Sequence, residues 1–289
     1  MNQFLPSRFE ERVERLALGI EPVDAISARP LTYQLQIQHD ASLLGLPRPP
    51  IERHTSNRYA LRYQPGLMTT FDLRFFDQPG RVYKPEHDRR RIVPRRLRVP
   101  ILSLTDVETQ EQTEADAANT NVKDFRRRIR RPTFFPGAAY DFNGTTSLRG
   151  RVTRGGGGNP MRWARVVATL EGTSVIVGRA HGDDRGEFLL LINAAVTTGS
   201  ATPKPLNIDV TVLGPAAAPT PSSPDLPKLD PLWDLPLEIL AAPGVDDPVA
   251  TGVQPPDQPP AQNYTATVTR TVEFTLGKCL SGIEDFVIT

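Results

Sequence analysis

From Asn263 to Leu276 the sequence NYTATVTRTVEFTL alternates without interruption. Tyr264, Ala266, Val268, Arg270, Val272, Phe274 and Leu276 fall on one side, and Thr265, Thr267, Thr269, Thr271, Glu273 and Thr275 on the other. A period of two held this long fits a β-strand and no helix, because successive strand side chains point to opposite faces. At about 3.3 Å per residue the run predicts a strand of roughly 40 Å, too long and too apolar on one face to stand as a bare edge. It must pair within a sandwich or with a neighbour. Arg270 is the one charge on the apolar face, so it is expected to reach the edge and meet a carboxylate, from Asp246, Asp247 or Asp257 or from another subunit.

The rest of the chain has the same character, so the expected fold class is mainly β. Proline is 29 of 289 residues, about twice the usual frequency, which shortens helices and favours turns and extended segments. A chain of this length divides into about two domains. Residues 1–20 predict an N-terminal helix or arm: Ser7 and Glu10 form a capping box, Phe9, Val13 and Leu16 share a face, and Gly19 stops it. Residues 21–105 read as a β domain, with alternation in LTYQLQIQ, RYALRY and TFDLRF. Residues 106–147 form a connector that begins as an acidic loop or short helix and continues Arg-rich. Residues 148–213 with 263–289 form an antiparallel β-sandwich, with strands expected in LRGRVT, MRWARVVATL, SVIVGRA, EFLLLI and LNIDVTVL.

Residues 214–262 interrupt the sandwich as a proline-rich arm, with 13 prolines between positions 215 and 260. That density blocks helix and central strand. A free linker would be polar throughout, yet LPKLDPLWDLPLEIL carries Leu229, Leu232, Trp233, Leu235 and Leu237 among other apolar residues. Those side chains require burial, either against the arm's own domain or on a neighbour.

Charge is polarised along the chain. Residues 1–165 hold 28 basic and 18 acidic side chains, a net +10, and residues 166–289 hold 6 and 15, a net −9. Opposite fields at two ends suit head-to-tail or ring assembly. No apolar run approaches the ~18 residues a membrane-spanning helix requires, so no membrane insertion is expected. The first residues lack the apolar stretch of a secretory signal, and the single cysteine, Cys279, excludes an internal disulfide, so a cytoplasmic protein is expected.

Chemistry-bearing motifs are sparse, and no cofactor, catalytic residue or metal ligand is assigned. His181, Asp183 and Asp184 form the best metal-like cluster, but a polar turn closed by Gly186 explains them better. Gly155 to Gly158 lack the Lys and Ser/Thr of a phosphate loop and read as a hairpin loop. The arginines stand out: Arg89, Arg90, Arg91, Arg95, Arg96 and Arg98 in one run, and Arg126, Arg127, Arg128, Arg130 and Arg131 in another. Both runs interleave with apolar residues, as strands do when one face packs. Arginine pairs carboxylates bidentately and covers apolar surface, so a protein interface is favoured over nucleic acid. With Arg270 and the arm's apolar residues, these are the candidate interface.

Residues 148–192 resemble the carboxypeptidase-regulatory-like family, a transthyretin-like β-sandwich. The resemblance rests on Gly150-Arg151-Val152, the glycine-rich turn Gly155 to Pro160, Ala164-Arg165-Val166, and Asp183-Asp184-Arg185-Gly186-Glu187-Phe188. The G-x-Y strand that normally follows is missing. In that family the module is a non-catalytic scaffold or adhesion element. The whole arrangement also looks like accessory structural subunits of phage tail-like contractile injection systems. That implies a non-enzymatic subunit at the cap, collar or baseplate periphery of a particle assembled in the cytoplasm, its release left open, with copies of itself and other particle subunits as partners. The alternative is a glycan or cell-surface binding module using Trp163, Tyr140 or Trp233 as an aromatic platform.

Overall fold

The computed structural model describes residues 15–40, 49–78, 83–84, 90–114 (110–114 as backbone only), 128–142, 144–155, 158–193, 205–243, 247–254 and 264–289. The chain is mainly β. Its first strands are β1 (Leu16–Ile20), β2 (Val23–Asp24), β3 (Gln36–His39), β4 (Glu52–Arg53), β5 (Tyr59–Arg62), β6 (Thr70–Phe76) and β7 (Arg95–Pro100). Helix α1 (Leu104–Glu114) and the short strands β8 (Ile129–Arg130) and β9 (Thr133–Phe134) follow. Beyond them lie β10 (Ser147–Arg154), β11 (Asn159–Pro160), β12 (Arg165–Leu170), β13 (Ile176–His181), β14 (Glu187–Leu191) and β15 (Leu206–Gly214). The chain ends with α2 (Leu226–Leu229), β16 (Leu237–Ile239), β17 (Ala266–Phe274), β18 (Cys279–Leu280) and β19 (Phe286–Ile288).

The sandwich packs the sheet β13-β12-β15-β17 against β10 and its neighbours β14, β11, β18 and β19. Alternation places Val166 and Ala168 of β12, Ile208, Val210 and Val212 of β15, and Leu148 and Val152 of β10 in one core with Phe188, Phe274 and Phe286. Two residues of the family-like pattern are sterically required there. A Cβ on Gly150 would stand 2.4 Å from the Phe188 ring, and one on Gly186, at φ +72°, would meet the Val152 carbonyl at 2.4 Å. Asp183 Oδ1 accepts the N–H groups of Arg185 and Glu187, which folds 183–187 into the turn expected from its composition. Gly155 and Gly158, at φ +61° and +69°, lead from β10 into its antiparallel partner β11; 156–157 lie outside the described residues.

The first region contains the sheets β4-β5-β1-β8 and β16-β7-β6-β3 and the pair β2-β9. Leu18, Leu61, Phe71, Leu73, Phe75, Leu97 and Phe134 meet between them. Its sheets are not local in sequence. β8 and β9, from the expected connector, pair parallel with β1 and β2, and β16, from the arm, pairs parallel with β7.

Several expectations are corrected. Leu16 and Gly19 lie in strand β1, not in a helix, and Gly19 lets Ile129 approach so closely that a Cβ there would lie 3.2 Å from its Cγ1. Ser7, Phe9, Glu10 and Val13 are outside the described residues. In LTYQLQIQ only the end is strand: Leu31 and Leu35 are buried from irregular backbone, and Tyr59 fixes the bend by donating from its hydroxyl to Leu35 O at 2.7 Å and accepting from Leu35 N–H. Met161–Ala164 turn before β12 begins, with Trp163 left-handed at φ +61°. The Trp163 carbonyl accepts from Tyr264 Oη at 2.7 Å and from Arg165 at 2.9 Å, which offsets the ~1 kcal/mol or more such a backbone costs. The last long strand spans the nine residues Ala266–Phe274, shorter than the alternation from Asn263 to Leu276.

Candidate functional site

The charged groups of the arm and of the two β regions converge on one buried seam. Within LDPLWDLPLEI the arm carries Asp230, Asp234 and Glu238, four residues apart. Each takes an arginine. Arg74 of β6 donates from Nη1 to both oxygens of Asp230 at 2.7 Å. Its Nε also forms an ion pair with Asp40 at 2.5 Å. Asp234, its side chain 1% exposed, accepts from Trp163 Nε1 at 2.9 Å and pairs with Arg162 at 2.8 Å. Burial pushes the Asp234 carboxyl above its usual range despite these two donors.

Glu238 holds the centre. Arg95 of β7 grips it as a fork, Nε to Oε1 at 3.0 Å and Nη2 to Oε2 at 2.7 Å. The remaining Arg95 donors reach the carbonyls of Thr133, Ala250 and Val249. Arg165 of β12 adds a third bond to Glu238 at 3.2 Å and lies over the Tyr264 ring. Arg95 is 0% exposed, so first region, sandwich and arm meet at a fully desolvated ion cluster. Beside it His181 stacks on Phe135 at 4.0 Å, and its Nε2 lies 3.1 Å from the Gly252 carbonyl, which makes that nitrogen the donor. Burial, then Arg165 and Arg95, keep His181 neutral well below its ordinary pKa.

A second ionic link joins the same regions. Arg90 donates to Asp184 at 2.5 Å and Asp183 at 3.1 Å, and the Tyr83 hydroxyl donates to Asp184 at 3.1 Å. Burial and the neighbouring Asp184 raise the Asp183 carboxyl. Leu232 and Leu235 of the arm fill the space between with Phe76, Tyr83, Val93 and Trp163. Asp183 and Asp184 therefore share Arg90, while His181 contacts Phe135 and the Gly252 carbonyl. Among the described residues no three His, Cys, Asp or Glu side chains gather as ligands for a metal.

The described arginines of the two runs make contacts within the chain. Arg90 and Arg95 are buried in the seam. Arg130, whose pKa burial lowers, donates to the carbonyls of Ala241 and Pro100. Arg96 pairs with Asp40, Arg98 with Asp72, and Arg131 with Glu21. Arg128 donates to Leu16 O at 3.1 Å, and Arg91 lies over the Tyr33 ring. Arg89, Arg126 and Arg127 lie outside the described residues. The arm docks in cis: Leu232 and Leu235 are buried and Trp233 and Leu237 half-buried, while Leu229 stays 75% exposed. Among the described residues Arg270 meets no carboxylate. It lies over the Phe286 ring at 4.1 Å and donates to Glu284 O at 2.8 Å, because β19, not the arm, faces it. Asp246 and Asp257 are outside the described residues, and Asp247 instead accepts N–H groups of Ala241, Val249 and Ala250.

The carboxylates Asp230, Asp234 and Glu238 and the arginines Arg74, Arg162 and Arg165 escaped the sequence reading. One signal pointed to the carboxylates: three acids recurring every fourth residue inside an apolar run are costly to bury without partners. For Arg95, parity with Leu97 and Val99, which were expected to pack, already placed it on the packed face.

Of the aromatic residues, Trp163 and Trp233 line one pocket of about 200 Å³ with Tyr264, Arg162 and Asp234. Tyr140 instead hydrogen-bonds to the Asp24 carboxylate. Among the described residues no helix is long and apolar enough to cross a membrane. Comparison with protein-family models, with curated proteins and with solved structures finds no match to this chain.

Proposed function

We propose that the chain is a non-enzymatic structural subunit of a multimeric particle, at the cap, collar or baseplate periphery of a contractile tail-like apparatus. The observation that carries this reading is the arm. Three carboxylates at four-residue spacing clamp arginines of both β regions, so the charged groups are committed to holding two sheet systems at a fixed spacing. A particle subunit requires such a rigid body, since its docking surfaces must keep their mutual geometry. The roles of Gly150, Asp183 and Gly186 support the carboxypeptidase-regulatory-like reading of the sandwich, a scaffold module in that family. Part of the charge polarity, +10 before residue 166 and −9 after it, is neutralised by the buried pairs of the seam; the charge left over favours ordered docking of copies or partners in the cytoplasm.

Size-exclusion chromatography with light scattering at low and high salt, with copurification against tube and sheath proteins, tests the reading. The expected result is an oligomer or partner complex loosened by salt, because docking charges at a surface are screened and buried pairs are not. A monomer that retains neither tube nor sheath protein would contradict it. A second reading, a glycan-binding module, rests on the half-buried Trp233 at this pocket, since Trp163 is buried; a glycan array with Trp233→Ala as control tests it.

A further inference from the structure

Edge strands differ sharply in this molecule. β3 has four residues, β16 three, and β4 and β8 two each, lengths too short to template another chain. At the β13 and β14 edges the Asn193 N–H donates to Val177 O and the Asp183 N–H to Glu187 O, both at 2.8 Å. Among the described edge strands β17 is the longest. All nine of its residues pair in register with β15, Leu206↔Phe274 through Gly214↔Ala266, with no bulge. Among the described residues no backbone group pairs with its other side. The strand contains neither proline nor lysine and is rich in Thr and Val, which favour strand pairing. Its core-facing residues Ala266 and Val268 remain half-exposed, whereas Val272 and Phe274 are buried.

We infer that β17 is the edge at which a second copy of this chain adds its own β17, antiparallel about a two-fold axis at Thr269. This rests on the assembly reading above only in taking a copy of the chain as the partner. The strand is self-complementary in that register. On the outer face Thr269 opposes Thr269, Thr267 opposes Thr271, and Thr265 opposes Glu273. On the core face Val268 opposes Arg270 and Ala266 opposes Val272, which covers the two half-exposed residues. Moving the axis to Arg270 sets two guanidinium groups opposite each other. Moving it to Thr271 brings Asp209 of both copies into one row, since Thr271 donates to Asp209 at 2.6 Å. At Thr269 the central row is neutral, because Thr211 and Thr269 already share a hydroxyl contact at 2.9 Å. The product is a continuous eight-stranded sheet with an isologous interface. Arg270 does not block it, because its guanidinium is folded onto Phe286 and Glu284 O of its own chain.

Analytical ultracentrifugation of the full chain over a concentration series, with thermal melts confirming that each variant folds, tests the inference. The wild type is expected to dimerise. Thr267→Lys with Thr271→Lys sets Lys against Lys twice and weakens the dimer about tenfold or more. Thr267→Glu with Thr271→Lys sets Glu against Lys twice and leaves it at least as tight. Arg270→Leu retains the dimer. An oligomer insensitive to both double variants, or weakened equally by both, would overturn this edge while leaving the assembly reading in place. A wild-type monomer that still copurifies with tube or sheath protein would do the same. A wild-type monomer without partners would remove both. A chain that oligomerises only as Arg270→Leu would identify Arg270 as a guard of the edge and overturn the inference.

Discussion

Between its two sheets the sandwich closes on Val166, Val210, Phe274 and Phe286, contributed by strands that bear its alternation openly. The first region and its seam close on Arg95, 0% exposed, and on a strand borrowed from 143 residues downstream through Glu238. The difference lies in what each depends on. Apolar burial is non-directional and degrades gradually as volume is lost. A desolvated ion cluster is directional, and removing one partner leaves the other charged and unsolvated.

Three changes break or sharpen that contrast. The largest effect is expected from Glu238→Gln, which keeps the shape but leaves Arg95 and Arg165 without a countercharge; the cost is about 3–5 kcal/mol, read as a lowered urea midpoint. The matched conservative change in the sandwich, Ile208→Val, costs only about 0.5–1.5 kcal/mol by the same titration. Gly186→Ala attacks the sandwich through its backbone, forcing a Cβ toward the Val152 carbonyl at φ +72°, and costs about 1–3 kcal/mol in urea unfolding.

A pH profile separates the regions further. Burial pushes Asp77, beside the Arg91 N–H, up to about 6. A carboxyl whose folded pKa is raised stabilises the fold when protonated, below its unfolded value of 3.8, and loses that contribution as pH rises through about 6. Asp77→Asn is therefore expected to be about 3 kcal/mol more stable than wild type at pH 7.5, with the gap closing by pH 4 in thermal melts. His181 acts in the opposite sense. Its folded pKa is depressed, so its contribution is present above about 6.5 and lost as pH falls. The smallest effects lie at exposed positions: Arg270→Leu loses a ring contact and one hydrogen bond, about 0.5–1 kcal/mol, and Leu229→Ser falls within about 0.5 kcal/mol in urea unfolding.

Legibility follows the same division. The sandwich could be read because its cause is local: period two in β15 and β17, and turn chemistry at Asp183 and Gly186. The long strand was read too far because its alternation continues past Phe274, where backbone pairing with β15 ends. The arginines were read as strand residues with a packed face, but their partners were sought in other copies. The missing step was spatial: Arg95 lies 143 residues from Glu238, and Arg74 156 residues from Asp230. No local pattern encodes such distances. Glu238 also occupies the one parity in LEIL that turns inward while Ile239 is 37% exposed, a choice made by pairing with β7 and not by side-chain hydrophobicity.

The central claim, that the arm folds back onto its own chain, is tested most directly by amide hydrogen exchange of the arm at decreasing protein concentration. Leu240 N–H donates to Arg98 O at 3.0 Å, and β16 pairs with Arg96, Leu97 and Arg98. Peptides spanning 235–241 are predicted to be protected to the same degree as those spanning 95–100, independent of concentration. Rapid exchange of 235–241 while 70–76 stays protected, or protection that disappears on dilution, would contradict a clamp in cis.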